Sequence, residues 1–174
     1  MDTAEVGTSG EELNQEQLVE QVGSKLHDVW REPRRINNTD LFEPRVKTTK
    51  DQIWIAAHDG QNQVDIANSD YGELPEEWQA ENKASAEAAI SEIMTAVESG
   101  IPLDDNFIES ASAAQHVTWL ERNSSWAPEE QKLPYDQLSE AEKQKDRDVV
   151  ATAVAVFQAS QNSQERVPEL AGVA

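Results

Sequence analysis

The sequence predicts an all-α, mainly helical fold with short extended pieces in the loops. Apolar residues recur at three- and four-residue steps along most of the chain, and no stretch alternates with the period of two that a half-buried strand needs. Helix start and stop signals then divide the chain into five helical segments. The first opens at the capping box Ser9-Gly10-Glu11-Glu12 and carries Leu18, Val19, Val22, Leu26, Val29 and Trp30 on one side, until Pro33 closes it. Residues 31 to 50 read as loop, broken by Pro33, Asn37-Asn38 and Pro44. Thr49 is placed to cap a short helix through Ile53, Trp54, Ile55 and Ala57 that stops at Asp59-Gly60. A long helix from about Pro75 to Ser99 would bury Trp78, Ala86, Ala89, Ile90, Ile93 and Val97; Gly100 lies past its end and Pro102 bars continuation. The fourth helix runs from about Asp104 to Arg122. A second capping box, Ser139-Glu140-Ala141-Glu142, starts the fifth, with Val149, Val150, Ala153, Val154 and Phe157 on its apolar side. A disordered N-terminus over residues 1–8 and a flexible tail over residues 161–174 are expected at the two ends.

Composition narrows the function classes. The 174 residues amount to one domain or two small ones. With 14 Lys plus Arg against 34 Asp plus Glu, the formal net charge is −20. That balance speaks against nucleic-acid binding, which recruits phosphates with Lys and Arg. The longest mostly apolar run, Val149 to Phe157, is far short of the roughly 18 residues that cross a bilayer, so no membrane association is expected. The first residues lack the basic and apolar regions of a secretory leader, and the chain has no cysteine. Both point to the cytoplasm. Motifs for phosphate-binding loops, dinucleotide folds, zinc proteases and calcium loops are absent from the sequence, so no catalytic residues, metal ligands or cofactor are assigned and the protein is expected not to be an enzyme.

Self-similarity within the chain is more informative than any of these motifs. His27-Asp28-Val29-Trp30 aligns with His116-Val117-Thr118-Trp119, and Leu18, Val19 and Val22 align with Phe107, Ile108 and Ala111. Further on, Tyr71-Gly72-Glu73-Leu74 matches Tyr135-Asp136-Gln137-Leu138. Without a gap, Asn82 then meets Asp146, Lys83 meets Arg147, and Ala86, Ala89, Ile90 and Ile93 meet Val150, Ala153, Val154 and Phe157. Each copy reads as helix, HxxW, irregular segment, YxxL turn, helix. Histidine and tyrosine are 44 residues apart in the first copy and 19 in the second, so the first holds an insertion at about 31–60. The predicted organisation is a first repeat over 9–100 and a second over 101–160.

The second copy, from His116-Val117-Thr118-Trp119 through Trp126 to Leu133-Pro134-Tyr135-Asp136-Gln137-Leu138 and the acidic-basic run ending in Asp146-Arg147, resembles the ryanodine-receptor repeat, or RyR, domain, which also occurs in bacterial and phage proteins. The first copy keeps HxxW, Tyr71-Gly72-Glu73-Leu74-Pro75 and Asn82-Lys83, but its Trp54 sits in an insertion that the family pattern lacks. The resemblance covers roughly residues 18 to 157. It implies a tandem pair of mainly helical units related by a pseudo-twofold, and a nucleotide-like ligand held between the two HxxW tryptophans.

In a helix, residues i and i+3 share a face, so HxxW sets an imidazole beside an indole. Two such indoles, Trp30 and Trp119, flanked by His27 and His116, would make a clamp for a flat ring. The bland alternative makes both tryptophans core anchors and gives both histidines backbone partners. Charge distribution bears on the choice. Residues 31 to 50 hold six basic and three acidic residues, a local +3, while the rest of the chain carries −23. Arg31 and Arg34 directly after Trp30, and Arg122 after Trp119, are therefore the candidate phosphate contacts. Lys83 and Arg147 read as structural, pairing with acids near the YxxL turns. The two tyrosines read as packing residues with hydroxyls bonded to backbone. The expected function is a non-enzymatic module that senses or sequesters a nucleotide-type small molecule. The alternative is an acidic accessory that mimics DNA or docks on a basic protein partner, with no small-molecule ligand.

Overall fold

In a computed structural model of the chain, the backbone is described for residues 3–173 and side chains for residues 15–162. The Ser9-Gly10-Glu11-Glu12 box and most of the two expected flexible ends lie outside the described side chains. Five helices account for most of the described chain: α1 (Thr3–Arg31), α2 (Gln52–Ala57), α3 (Glu76–Glu98), α4 (Asp105–Asn123) and α5 (Glu140–Val173). Among the described residues, no helix is long and apolar enough to cross a membrane. The mainly helical expectation holds. Helix α1 begins before Ser9, however, and α5 continues past Ser160. The extended pieces are a two-stranded antiparallel sheet, β1 (Val46–Thr48) with β2 (Gln63–Asp65), within the stretches read as irregular. Residues divide into two compact units, one spanning 23–84 and the other drawn from the chain before 23 and after 84. The divisions fall inside α1 and α3.

In the 23–84 unit the sheet backs a small apolar cluster. Val64, Ile66, Tyr71 and Leu74 are buried there, with Trp54 of α2 and Trp78 of α3 packed against them. Helix α2 starts differently from expectation. Asp51, not Thr49, is its cap: one carboxylate oxygen accepts from Ile53 N at 3.1 Å and Trp54 N at 3.2 Å. Its other oxygen accepts from Glu76 N at 3.0 Å, at the first residue of α3. One side chain thus satisfies orphan donors of two helices. The N–H groups of Glu76, Trp54 and Ile53 hold this carboxyl below its usual range. Thr49 is buried one step back, where its hydroxyl donates to Glu77 and accepts from Asp51 N. As expected, α2 stops at Asp59 and Gly60, both at positive φ.

In the other unit the apolar steps read from the sequence become buried rows. Leu18, Val19 and Val22 of α1, Ala86, Ala89, Ile90 and Ile93 of α3, Phe107 and Ala111 of α4, and Val150, Ala153, Val154 and Phe157 of α5 are all buried. At the end of α3 the expected Val97 is 48% exposed and Ala96 is buried instead. The reason is the chain reversal at Gly100 (φ +70°), which returns Ile101 N–H to Ala96 O at 2.8 Å and covers that side of the last turn. Asp104 caps α4 through Phe107 N at 3.0 Å, and Ser139 accepts from Glu142 N at the start of α5.

Candidate functional site

The two HxxW motifs build the same local device from residues far apart in sequence. In each, the helix sets imidazole and indole nearly parallel: His27 and Trp30 have ring centroids 5.9 Å apart at 18°, His116 and Trp119 6.2 Å apart at 13°. Both histidines are buried and bonded to backbone. His27 Nε2 lies 2.7 Å from Ser69 O, and His116 Nε2 lies 2.8 Å from Leu133 O. A carbonyl can only accept, so Nε2 carries the proton in both rings. Ser69 and Leu133 each stand two residues before the tyrosine of the YxxL turn, and in both motifs the tyrosine opens a single 3-10 turn whose closing Leu N–H returns to the Tyr carbonyl. The imidazole therefore ties the YxxL segment to its helix.

The motifs differ in what surrounds these anchors. Burial holds the His27 ring below its usual pKa, opposed by the bond to Ser69. It is a neutral spacer at pH 7. Asn82, which aligns with Asp146, bonds Gly23 O at 3.3 Å. In the second motif Asp146 Oδ2 stands 3.6 Å from His116 Nδ1 with its side chain 13% exposed. Burial pushes the Asp146 carboxyl up to about 6, against the pull of the His116 ring and with a further push from Glu142. That partnership was visible only as an alignment of Asn with Asp.

The two tryptophans differ in exposure and surroundings. Trp30 is 39% exposed, and the Arg34 guanidinium sits 4.6 Å over its ring. No carboxylate lies within ion-pair distance of Arg34 among the described residues. Trp119 is half-buried and meets Trp126 edge-on at 5.9 Å, while Trp126 is itself 64% exposed and bonds Asn123 through its indole N–H.

Most of the candidate phosphate contacts are engaged within the protein. Arg31 donates to Asp28 at 3.3 Å, to Asp70 at 3.0 Å and to Ser69 O at 3.2 Å, and its guanidinium lies 4.8 Å from the buried Phe42 ring. Arg35, which is not one of those candidates but shares the basic stretch 31–50, is held by both oxygens of Glu32 and also lies over Phe42. Arg122 donates to Thr118 O and to Ser85 Oγ. Among the arginines singled out from the sequence, Arg34 is the one presented on an exposed aromatic face. His27, Trp30, Arg31 and Arg34 belong to the 23–84 unit; His116, Trp119 and Arg122 belong to the other.

Of the residues read as structural, Arg147 pairs with Glu140 beside the turn at 2.9 Å and with Glu109 of α4 at 2.6 Å. Glu109 also accepts from Tyr135 Oη at 2.6 Å, so this tyrosine bonds a carboxylate and not backbone. Arg147 first, and then Tyr135, hold Glu109 down to about 2, whereas burial and the Glu109 carboxylate push Tyr135 up to about 12. Tyr71 behaves as expected, donating to Gln79 O at 3.3 Å. Sequence reasoning missed Phe42, Asp51 and the stack of Trp54 on His58, with centroids 3.7 Å apart; the i, i+4 spacing of that last pair was the available signal. Comparison with known protein families, characterised proteins and solved structures finds no match.

Proposed function

We propose that the protein is a non-catalytic binding module for a nucleotide-type small molecule, built from two RyR-like copies, with Trp30 supplying the stacking face and Arg34 the phosphate contact. The observation that carries the reading is an indole 39% exposed with a guanidinium 4.6 Å over it. A partly exposed aromatic under a cation that has no carboxylate partner among the described residues suits a ligand that is flat at one end and anionic at the other and takes the guanidinium's place on the ring. His27, neutral and tied to Ser69 O, backs the indole without competing for the ligand's charge. Duplication is supported by the matched anchors, since both imidazoles bond the carbonyl two residues before their tyrosine. On this reading Arg31, tied to Asp28, Asp70 and Ser69 O, is a structural neighbour of the site and Arg34 meets the phosphate.

Tryptophan fluorescence and thermal shift against adenine nucleotides, cyclic dinucleotides and ADP-ribose derivatives test the proposal. Stacking is worth roughly 1–3 kcal/mol per base, so Trp30→Ala should weaken the responding ligand about five- to a hundredfold. Arg34→Ala should weaken AMP relative to adenosine, because it removes the phosphate contact and uncovers the ring for both. No response to any nucleotide, or equal responses from the parent and Trp30→Ala, overturns the reading.

A further inference from the structure

Where α3 turns into α4, the described residues enclose an open groove of about 420 Å3. Ala96, Ile101, Pro102 and Phe107 give it an apolar lining, and Glu92 and Asp104 stand among its polar residues. Its volume falls within the roughly 300–1,000 Å3 of ordinary binding sites. Ile101, one of the lining residues, is 51% exposed. The charged residues that line the groove, Glu92 and Asp104, are both acids. Between Lys83 and Arg122 the chain contains seven Asp or Glu and no Lys or Arg.

We propose that this groove docks a basic amphipathic segment of a partner protein, with one apolar side chain entering against Ile101 and Phe107 and Lys or Arg residues meeting the acidic flanks. An acidic surface draws such a segment in and orients it, and the apolar floor holds it. A second copy of this chain fits poorly, because it brings the same acids, Glu92 and Asp104, to the contact and like charges repel. Nucleic acid is repelled for the same reason. The proposal is independent of any ligand on Trp30.

The test uses the full chain and a synthetic helix with Leu at i, i+3, i+4 and i+7 spacing and Lys elsewhere, alongside a Leu/Glu counterpart, measured by calorimetry at low and high salt. The Lys peptide should bind and weaken as salt rises, while the Glu peptide should not bind. Ile101→Asp is the decisive variant. It adds an acid, so attraction to a diffuse negative surface would strengthen binding, whereas loss of the apolar contact should weaken it about tenfold. Glu92→Lys should also weaken binding, and Asp148→Lys, an exposed reversal away from the groove, should leave it within about twofold. Unchanged or tighter binding by Ile101→Asp, equal weakening by Asp148→Lys, or self-association of the chain that Ile101→Asp abolishes would overturn the proposal.

Discussion

Asp146 allows a stability measurement whose sign follows from its surroundings. Its carboxyl is buried against His116 and raised from an ordinary 3.8 to about 6. The folded state therefore binds a proton that the unfolded chain has already released between those values. The contribution of Asp146 to stability is fully present below pH 3.8 and is lost as pH rises through about 6. Two pKa units at 1.36 kcal/mol each make the loss about 3 kcal/mol. Asp146→Asn keeps shape and polarity and removes the titration; it also installs the residue type found at the aligned position 82. Urea unfolding of both proteins from pH 4.5 to 8 should show the variant gaining on the parent as pH rises, by about 1–3 kcal/mol at pH 8. Taking the difference cancels the pH dependence common to the other carboxylates. A stability difference that does not change with pH, or one that moves in the parent's favour at high pH, would refute the reasoning.

Two further outcomes concern the scaffold. Ile93, with no exposed surface in the core of its unit, should cost about 2–5 kcal/mol when truncated to Ala, measured by urea unfolding. Asp51→Ala should lower Tm and increase hydrogen exchange at the first turns of both α2 and α3, because one carboxylate caps both; an effect confined to α2 would show that the contact to Glu76 N does not matter.

Much of the helical architecture was legible because its signals are local. The reversal at Gly100, the stop at Asp59-Gly60 and the Ser139 cap are decided by residues within a few positions of one another. The side-by-side placement of His27 with Trp30 and of His116 with Trp119 was legible for the same reason. Thr49 and Val97 were misread because each has a competitor that spacing alone cannot rank. Asp51 captures donors from two helices at once, and a chain reversal covers Ala96.

The sequence by itself determined the helical periods, the acidic surface and the pairing of imidazole with indole on one turn, since all of these depend on composition or on neighbours along a single helix. Only the tertiary structure decided what each of those groups does. The carbonyls that hold His27 and His116 come from 42 and 17 residues away, and Asp70, 39 residues from Arg31, draws that guanidinium into an ion pair while Arg34 stays on an open indole. A hydrogen-bond partner is chosen by where the folded chain puts it, and distance along the sequence carries no record of that choice.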